Sequence, residues 1–191
     1  GIMVRNPAAH GQPQAAEAEQ PASAEDPHAN PVERYRSGTI SLLAGSGGAI
    51  AASQGALVAV LGNGTAQAGV TLGVHLRGVF SGGVTLGGRL GMLYPSSDGV
   101  AIDAGVGGGY AIVLGAQVAL TPFVEFGVGV TTGPANTPLI ITSLGGVALQ
   151  IFLGDHGFIE PFVGGGAIIN TSRDGRAAGV INAGYRLGVV F

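Results

Sequence analysis

Apolar residues alternate with polar residues or glycine in most of this sequence, and this pattern restricts its fold more than any other feature. The run VTLGVHLRGVF (70–80) shows it, and so do GVTLGGRLGMLY (83–94), VAIDAGVGGGY (100–110) and QVALTPFVEFGVGV (117–130). A period of two sustained over ten or more residues indicates β-strands, because successive side chains of a strand point to opposite faces. The sequence therefore predicts an all-β protein.

Turn residues separate these runs, as in PSSDG (95–99), TGPANTP (132–138) and TSRDGRA (171–177). Strands joined in sequence by short connections form an antiparallel meander. The predicted strands lie near 66–80, 83–95, 100–112, 116–131, 138–153, 158–170 and 178–191, with one more upstream at 38–48 or 50–61. An even number of strands lets a closed barrel keep both chain ends on one side, so we expect an eight-stranded antiparallel up-and-down barrel over residues 37–191.

Residues 1–36 differ in composition from the rest of the chain. They contain many prolines and charged residues, and GQPQAAEAEQPASAEDPHANP (11–31) shows no apolar periodicity. Such a segment buries too little apolar surface to offset the entropy lost on ordering. We expect an acidic, Pro/Ala-rich tail or tether, which could also become ordered on a partner.

The alternation alone allows two opposite barrels, one with its apolar face inside and one with that face toward lipid. Only 10% of residues are charged, against about 25% in a typical soluble domain. The polar face carries at most one or two charges per strand, with Gly, Thr or Ala filling the rest, which suits a narrow lumen better than a solvated surface. The predicted strands also exceed the about 9–11 residues that a transmembrane strand needs. The sequence therefore favours a transmembrane β-barrel.

The ionisable residues of the predicted strands fall on the inner face. Buried charges need partners, because desolvation costs several kcal/mol per ion. We expect Arg89, Asp103 and Glu125 to form one cluster across adjacent strands and Glu160 and Arg186 to form a second. The complete predicted lumen set is His75, Arg77, Arg89, Asp103, Glu125, Glu160 and Arg186.

Aromatic residues of the outer face fall near strand ends, as in the aromatic girdles of membrane proteins. Phe80 and Tyr110 are predicted at one rim together with Phe191, and Tyr94 at the other. Small residues at Gly88, Gly108, Ser143 and Gly145 share this lipid face, where they either allow another barrel to approach or are neutral.

The chain ends in AGYRLGVVF, which resembles the C-terminal strand of bacterial outer-membrane β-barrels. The openings TPFVEFGVGV (121–130) and EPFVGGGAII (160–169) resemble strand openings of the small eight-stranded family that includes the membrane domain of OmpA, OmpX and OmpW. The resemblance covers residues 37–191 and implies a location in the bacterial outer membrane. It further implies that residues 1–36 form a periplasmic tether, which could bind a periplasmic partner. It also implies that the barrel assembly machinery recognises Tyr185, Leu187, Val189 and Phe191. The absence of Trp and Lys and the short outer loops depart from the family, and the short loops argue against an adhesin or receptor role.

Several functional classes are disfavoured by composition. A net charge of −3 gives no basic patch for nucleic acid, and the chain contains no cysteine for thiol chemistry. Neither a catalytic constellation nor a metal-ligand spacing occurs, so we expect no enzyme and no cofactor.

Four interpretations remain. We expect a structural, anchoring barrel in outer-membrane lipid whose lumen is narrow or filled by side chains. A small-solute or ion channel is the alternative, and a soluble barrel that binds an apolar ligand is a third. An α-helical membrane protein is a fourth, which the period of two and the many glycines oppose.

Overall fold

The structure, a computed structural model, describes residues 30–52, 67–95, 100–132, 139–171 and 177–191. A short helix, α1 (Pro31–Arg36), precedes nine strand segments. These are β1 (Thr39–Ala52), β2 (Gln67–Val79), β3 (Val84–Pro95), β4 (Val100–Tyr110), β5 (Ile112–Gly115), β6 (Val118–Thr132), β7 (Leu139–Leu153), β8 (Gly157–Asn170) and β9 (Ala177–Val190). The predicted tail over residues 1–29 lies outside the described residues.

The strands form one closed antiparallel barrel. Each strand pairs with its neighbour in sequence, and β9 closes the barrel by pairing with β1 from Ser41↔Val190 to Ala52↔Gly179. Segments β4 and β5 both pair with β6 and are separated only at Ala111, so they are two parts of one barrel strand. The barrel thus has eight strands, which confirms the predicted fold class.

The first strand takes the earlier of its two predicted positions and extends beyond it, to Ala52. The later position, 50–61, lies mostly outside the described residues. The last residue also belongs to the barrel wall, because the backbone N–H of Phe191 donates to the carbonyl of Ile40 at 2.8 Å. Phe191 therefore extends the pairing of β9 with β1 by one residue.

The barrel has two distinct ends. The short connections at 80–83, 116–117 and 154–156 lie at the same end as the start of β1 and the end of β9, and we call this the terminus end. The connections at 53–66, 96–99, 133–138 and 172–176 join the strands at the opposite end, which we call the loop end. Positive φ values of +91° at Gly82 and +79° at Gly154 explain glycine in two of the terminus-end turns.

Helix α1 packs against the terminus end. The side chain of Asn30 accepts a hydrogen bond from the Val32 N–H, and Pro31 follows at the first helical position, so the sequence supplies both signals of a helix start. The helix inserts Val32 and Tyr35 into the barrel mouth, where both are fully buried. Helix α1, which the sequence analysis assigned to the tail, thus packs into the barrel mouth through these two residues, whereas Glu33 and Arg34 are exposed. No described helix is long and apolar enough to span a membrane.

The outer wall of the barrel is apolar. Leu86, Val106 and Val124 are more than half exposed there, whereas Arg89 and Glu125 point inward. The structure therefore has the inside-out arrangement that the sequence predicts, with the sparse ionised residues enclosed by the sheet.

Candidate functional site

Six ionised side chains form one continuous chain of alternating charge across the barrel interior, which we call the ion-pair chain. Arg89 donates to Asp103 at 3.0 Å, and its Nε lies 3.1 Å from Glu125 Oε2. Arg186 approaches Glu125 Oε1 at 3.5 Å and donates to Glu160 Oε1 at 2.8 Å, and Arg77 donates to Glu160 at 2.9 Å. In order, the members are Asp103, Arg89, Glu125, Arg186, Glu160 and Arg77.

The sequence analysis proposed two separate clusters in this region. Arg186 on β9 contacts Glu125 of the first cluster as well as Glu160 of the second, so the structure joins the two. Arg77, which the sequence analysis assigned to neither cluster, ends the chain at Glu160. Three guanidinium groups and three carboxylates then balance, which is the condition for holding such groups in a barrel interior.

Glu160 is the most enclosed member of the chain. Its side chain has no exposed surface and accepts from two guanidinium groups, those of Arg77 and Arg186. The amide of Gln150 donates to the same carboxylate at 2.9 Å and to the Tyr35 hydroxyl at 3.0 Å. The ion-pair chain is thereby connected to helix α1. Gln150 and Tyr35 were not predicted as site residues, although the parity of Gln150 on β7 places it inside.

Glycines make room for the ion-pair chain. Arg77 lies opposite Gly87 on the neighbouring strand, Arg89 opposite Gly105, Asp103 opposite Gly91, Glu125 opposite Gly107 and Arg186 opposite Gly45. A Cβ at position 107 would lie 2.7 Å from Glu125 Cγ, and one at position 45 would lie 2.8 Å from Arg186 Cγ. The alternation of charge with glycine on the inner face is therefore a packing requirement.

His75 lies beside the chain rather than in it. Its Nδ1 is 3.8 Å from Glu125 Oε1, and it occupies the position opposite Arg89 on β3. His75 completes the predicted lumen set, all of which the structure places in the interior. In the part of the chain that is described, no group of three or more His, Cys, Asp or Glu residues is arranged to hold a metal ion.

Two aromatic rings flank the central arginine. The guanidinium carbon of Arg186 lies 4.3 Å from the ring centroid of Phe162 and 5.5 Å from that of Phe123, both within cation–π range. These rings come from the two similar segments TPFVEFGVGV and EPFVGGGAII, in which the Phe follows a Pro. Their inward parity was available in the sequence, but the analysis did not identify them as site residues.

An apolar plug fills the interior between the ion-pair chain and the terminus end. The Tyr35 ring packs edge-on against Phe152 and Phe158, with centroids 5.3 Å and 5.9 Å apart. Leu43 and Val190 complete the same buried cluster from β1 and β9. These side chains are fully or almost fully buried at the terminus end of the barrel.

A cavity of about 90 Å³ lies on the loop-end side of the ion-pair chain. Its floor includes His75, Arg89 and Glu125. Its walls near the loop end are largely apolar and include Ala49, Ala101, Ile140 and Val180. The interior thus has three layers from the terminus end upward: the apolar plug, the ion-pair chain and this cavity.

The remaining predicted residues lie on the outer wall. Phe80, Tyr110 and Phe191 are exposed around the terminus end, and Tyr94 is exposed at the loop end. Tyr185, Leu187 and Val189 are exposed along β9, on the loop-end side of Phe191. Gly88, Gly108, Ser143 and Gly145 occupy outward positions on β3, β4 and β7.

The fold is that of small outer-membrane barrels. Neisserial surface protein A (NspA) superimposes with a TM-score of 0.58 at 10% identity, over 81% of this chain and 99% of its own. The N-terminal β-barrel domain of Pseudomonas aeruginosa OprF gives a TM-score of 0.52 at 14% identity, over 80% of this chain and 97% of its own. No protein-family model and no curated protein matches the sequence.

Proposed function

We propose that this protein is a non-enzymatic outer-membrane barrel that acts as a structural or anchoring element, with a lumen closed by its own side chains. The burial of the apolar plug at the terminus end is the observation that supports the proposal. A conducting path would have to pass the ion-pair chain and then the apolar plug, where Tyr35 and Phe158 have essentially no exposed surface. An eight-stranded barrel encloses only enough space for its side chains, unless small residues leave a passage. Here the space beside the glycines is taken up by the ionised side chains opposite them.

The outer wall supports the membrane location. Thirty-one large apolar side chains are exposed on the described part of the chain, far more than a soluble protein of this size leaves in water. Heat-modifiable mobility on a gel after reconstitution into lipid vesicles tests this. We expect the folded and the boiled protein to migrate differently, whereas extraction from cells without detergent would support the soluble barrel.

Single-channel recording in planar bilayers tests closure. We expect no current above bilayer leak from the wild-type protein, with heat-modifiable mobility as the control for folding. Stepwise conductance would contradict a closed lumen and would support the small-solute or ion channel, for which the cavity above the ion-pair chain is the favourable feature.

We also propose that the barrel assembly machinery recognises the outward side chains of β9, namely Tyr185, Leu187, Val189 and Phe191. Each is exposed, and Phe191 is the most exposed large apolar residue described. Phe191→Ala should slow assembly in cells, whereas Phe80→Ala, an aromatic at the same end but not at the terminus, should not. Pulse-labelling combined with heat-modifiability measures the assembly rates. Equal rates for the two variants would contradict this role.

A further inference from the structure

The loop-end part of the lumen has a lining that the closed-barrel function does not explain. Ala49, Ala101, Ile140 and Val180 point inward from four different strands near the loop end and are between 4% and 6% exposed. We call these four residues the apolar collar. The lumen of a transmembrane barrel is ordinarily polar, because it is filled by water or by paired charges. An apolar ring above a charged layer is instead the lining of an amphipathic pocket.

The cavity inside the collar has room for a small molecule. Its volume of about 90 Å³ corresponds to roughly six to nine water-sized spheres at about 10–15 Å³ each. Leu93 and Ile168 extend its apolar wall. Water forms few hydrogen bonds with such a wall, whereas burial of an alkyl chain against it is favourable.

One buried acceptor beside this cavity has no partner among the described residues, and rotation of its side-chain amide would turn it toward the cavity. Asn182 lines the cavity, and its Oδ1 is enclosed and accepts no hydrogen bond from the residues that the structure describes. A buried acceptor without a partner has lost its hydrogen bond to water and is destabilising. A bound group that donates a hydrogen bond would remove this destabilisation.

The floor of the cavity selects against charged ligands. The ion-pair chain contains three arginines and three carboxylates, so their charges balance, and each member lies within salt-bridge distance of a member of opposite charge. A charged ligand would lose its hydration inside the collar without finding an unpaired counter-charge.

We propose that this cavity binds a small neutral amphiphile, with a hydroxyl or primary amide that donates to Asn182 Oδ1 and a short alkyl chain that packs within the apolar collar. The size of the cavity limits the ligand to roughly six to nine non-hydrogen atoms. This inference goes beyond the closed-barrel function, since it concerns only the loop-end side of the ion-pair chain.

Methyl NMR on the protein in detergent-free lipid nanodiscs tests the proposal, with 1-hexanol as the probe. We expect saturable shifts of the Ile140 and Val180 methyl signals, whereas the lipid-facing Val106 methyls should shift only linearly as hexanol partitions into lipid. Hexanoate and hexylammonium, which are charged, should give no saturable shift. Lumen methyls that do not saturate, or that saturate equally with hexanoate, would overturn the proposal.

Two variants on β4 separate the cavity from the outer wall. Ala101→Leu fills the cavity and should abolish the saturable shift, whereas Ala104→Leu, an exposed position on the outer face of the same strand, should leave it unchanged. Asn182→Ala removes only the acceptor and should weaken hexanol binding about fivefold, as expected for one neutral hydrogen bond. If Ala101→Leu does not fold, Asn182→Ala decides, and an affinity equal to that of the wild type would refute the assigned contact.

Discussion

Replacement of Glu160 by Gln is the most informative perturbation of the barrel interior. Glu160 has no exposed side-chain surface and supplies the only carboxylate within salt-bridge distance of Arg77 among the described residues. Its other arginine partner, Arg186, keeps a second carboxylate, since Glu125 lies 3.5 Å away. The substitution preserves the size of the side chain but leaves the Arg77 guanidinium buried without a counter-charge.

The expected cost of Glu160→Gln is about 3–5 kcal/mol of unfolding free energy, which is typical when one partner of a buried pair is removed. Asp103→Asn, at the other end of the ion-pair chain, is the matched control. Arg89 then keeps Glu125 at 3.1 Å, and the Asp103 side chain is 12% exposed. We expect this control to cost about 1.5–3 kcal/mol, the range for a hydrogen bond to a charged group, because Asn keeps one of the two oxygens that accept from Arg89.

Equilibrium unfolding in urea, with the protein in lipid vesicles and the folded fraction read from heat-modifiable mobility, measures both costs. The double variant Glu160→Gln/Arg77→Met removes the stranded charge, so it should be more stable than Glu160→Gln alone by at least about 1 kcal/mol. The reasoning fails if Glu160→Gln costs less than Asp103→Asn, or if the second substitution lowers stability further.

Three further predictions concern the plug, the packing of glycine and the outer wall. Tyr35→Phe removes the hydroxyl that accepts a hydrogen bond from the Gln150 amide at 3.0 Å, and it should lower the unfolding free energy by about 1 kcal/mol in the same urea assay. No loss of stability would mean that this hydrogen bond does not hold helix α1. A Cβ at Gly188 would clash with the Phe158 ring, so Gly188→Ala should lower the unfolding free energy by about 1–3 kcal/mol. Gly48→Ala places its Cβ in open space and should be nearly neutral, and equal effects of the two substitutions would contradict the packing argument. Val106→Arg at mid-strand should cost about 2–4 kcal/mol in lipid but Phe80→Arg at the rim only about 0–1 kcal/mol, and equal costs at the two depths would argue against a lipid-facing wall.

The barrel itself could be predicted from the sequence because both of its determinants are local. Alternation fixes the strand and its two faces, and the scarcity of charge indicates which face meets lipid. The predicted boundaries agree with the observed strands to within a few residues, as with 158–170 for Gly157–Asn170. Parity also sufficed to place every predicted lumen residue inside.

Other features depend on contacts between distant strands, which periodicity does not report. Arg186 and Glu125 are 61 residues apart, so their contact, and with it the fusion of two predicted clusters, follows only from closure of the barrel. Helix α1 was missed because six residues give too short an apolar pattern. Its start signals, Asn30 followed by Pro31, lie in a stretch otherwise dominated by tail-like composition.

The position of Arg186 on β9 has a consequence for the order of folding. Glu125 and Glu160 lie on strands that precede β9, and the cation that connects them arrives only with the last strand. A partly assembled sheet therefore holds two carboxylates that lack this shared partner. Insertion of the final strand seals the seam with β1 and neutralises these charges in the same event, so closure and internal charge balance are gained together rather than one after the other.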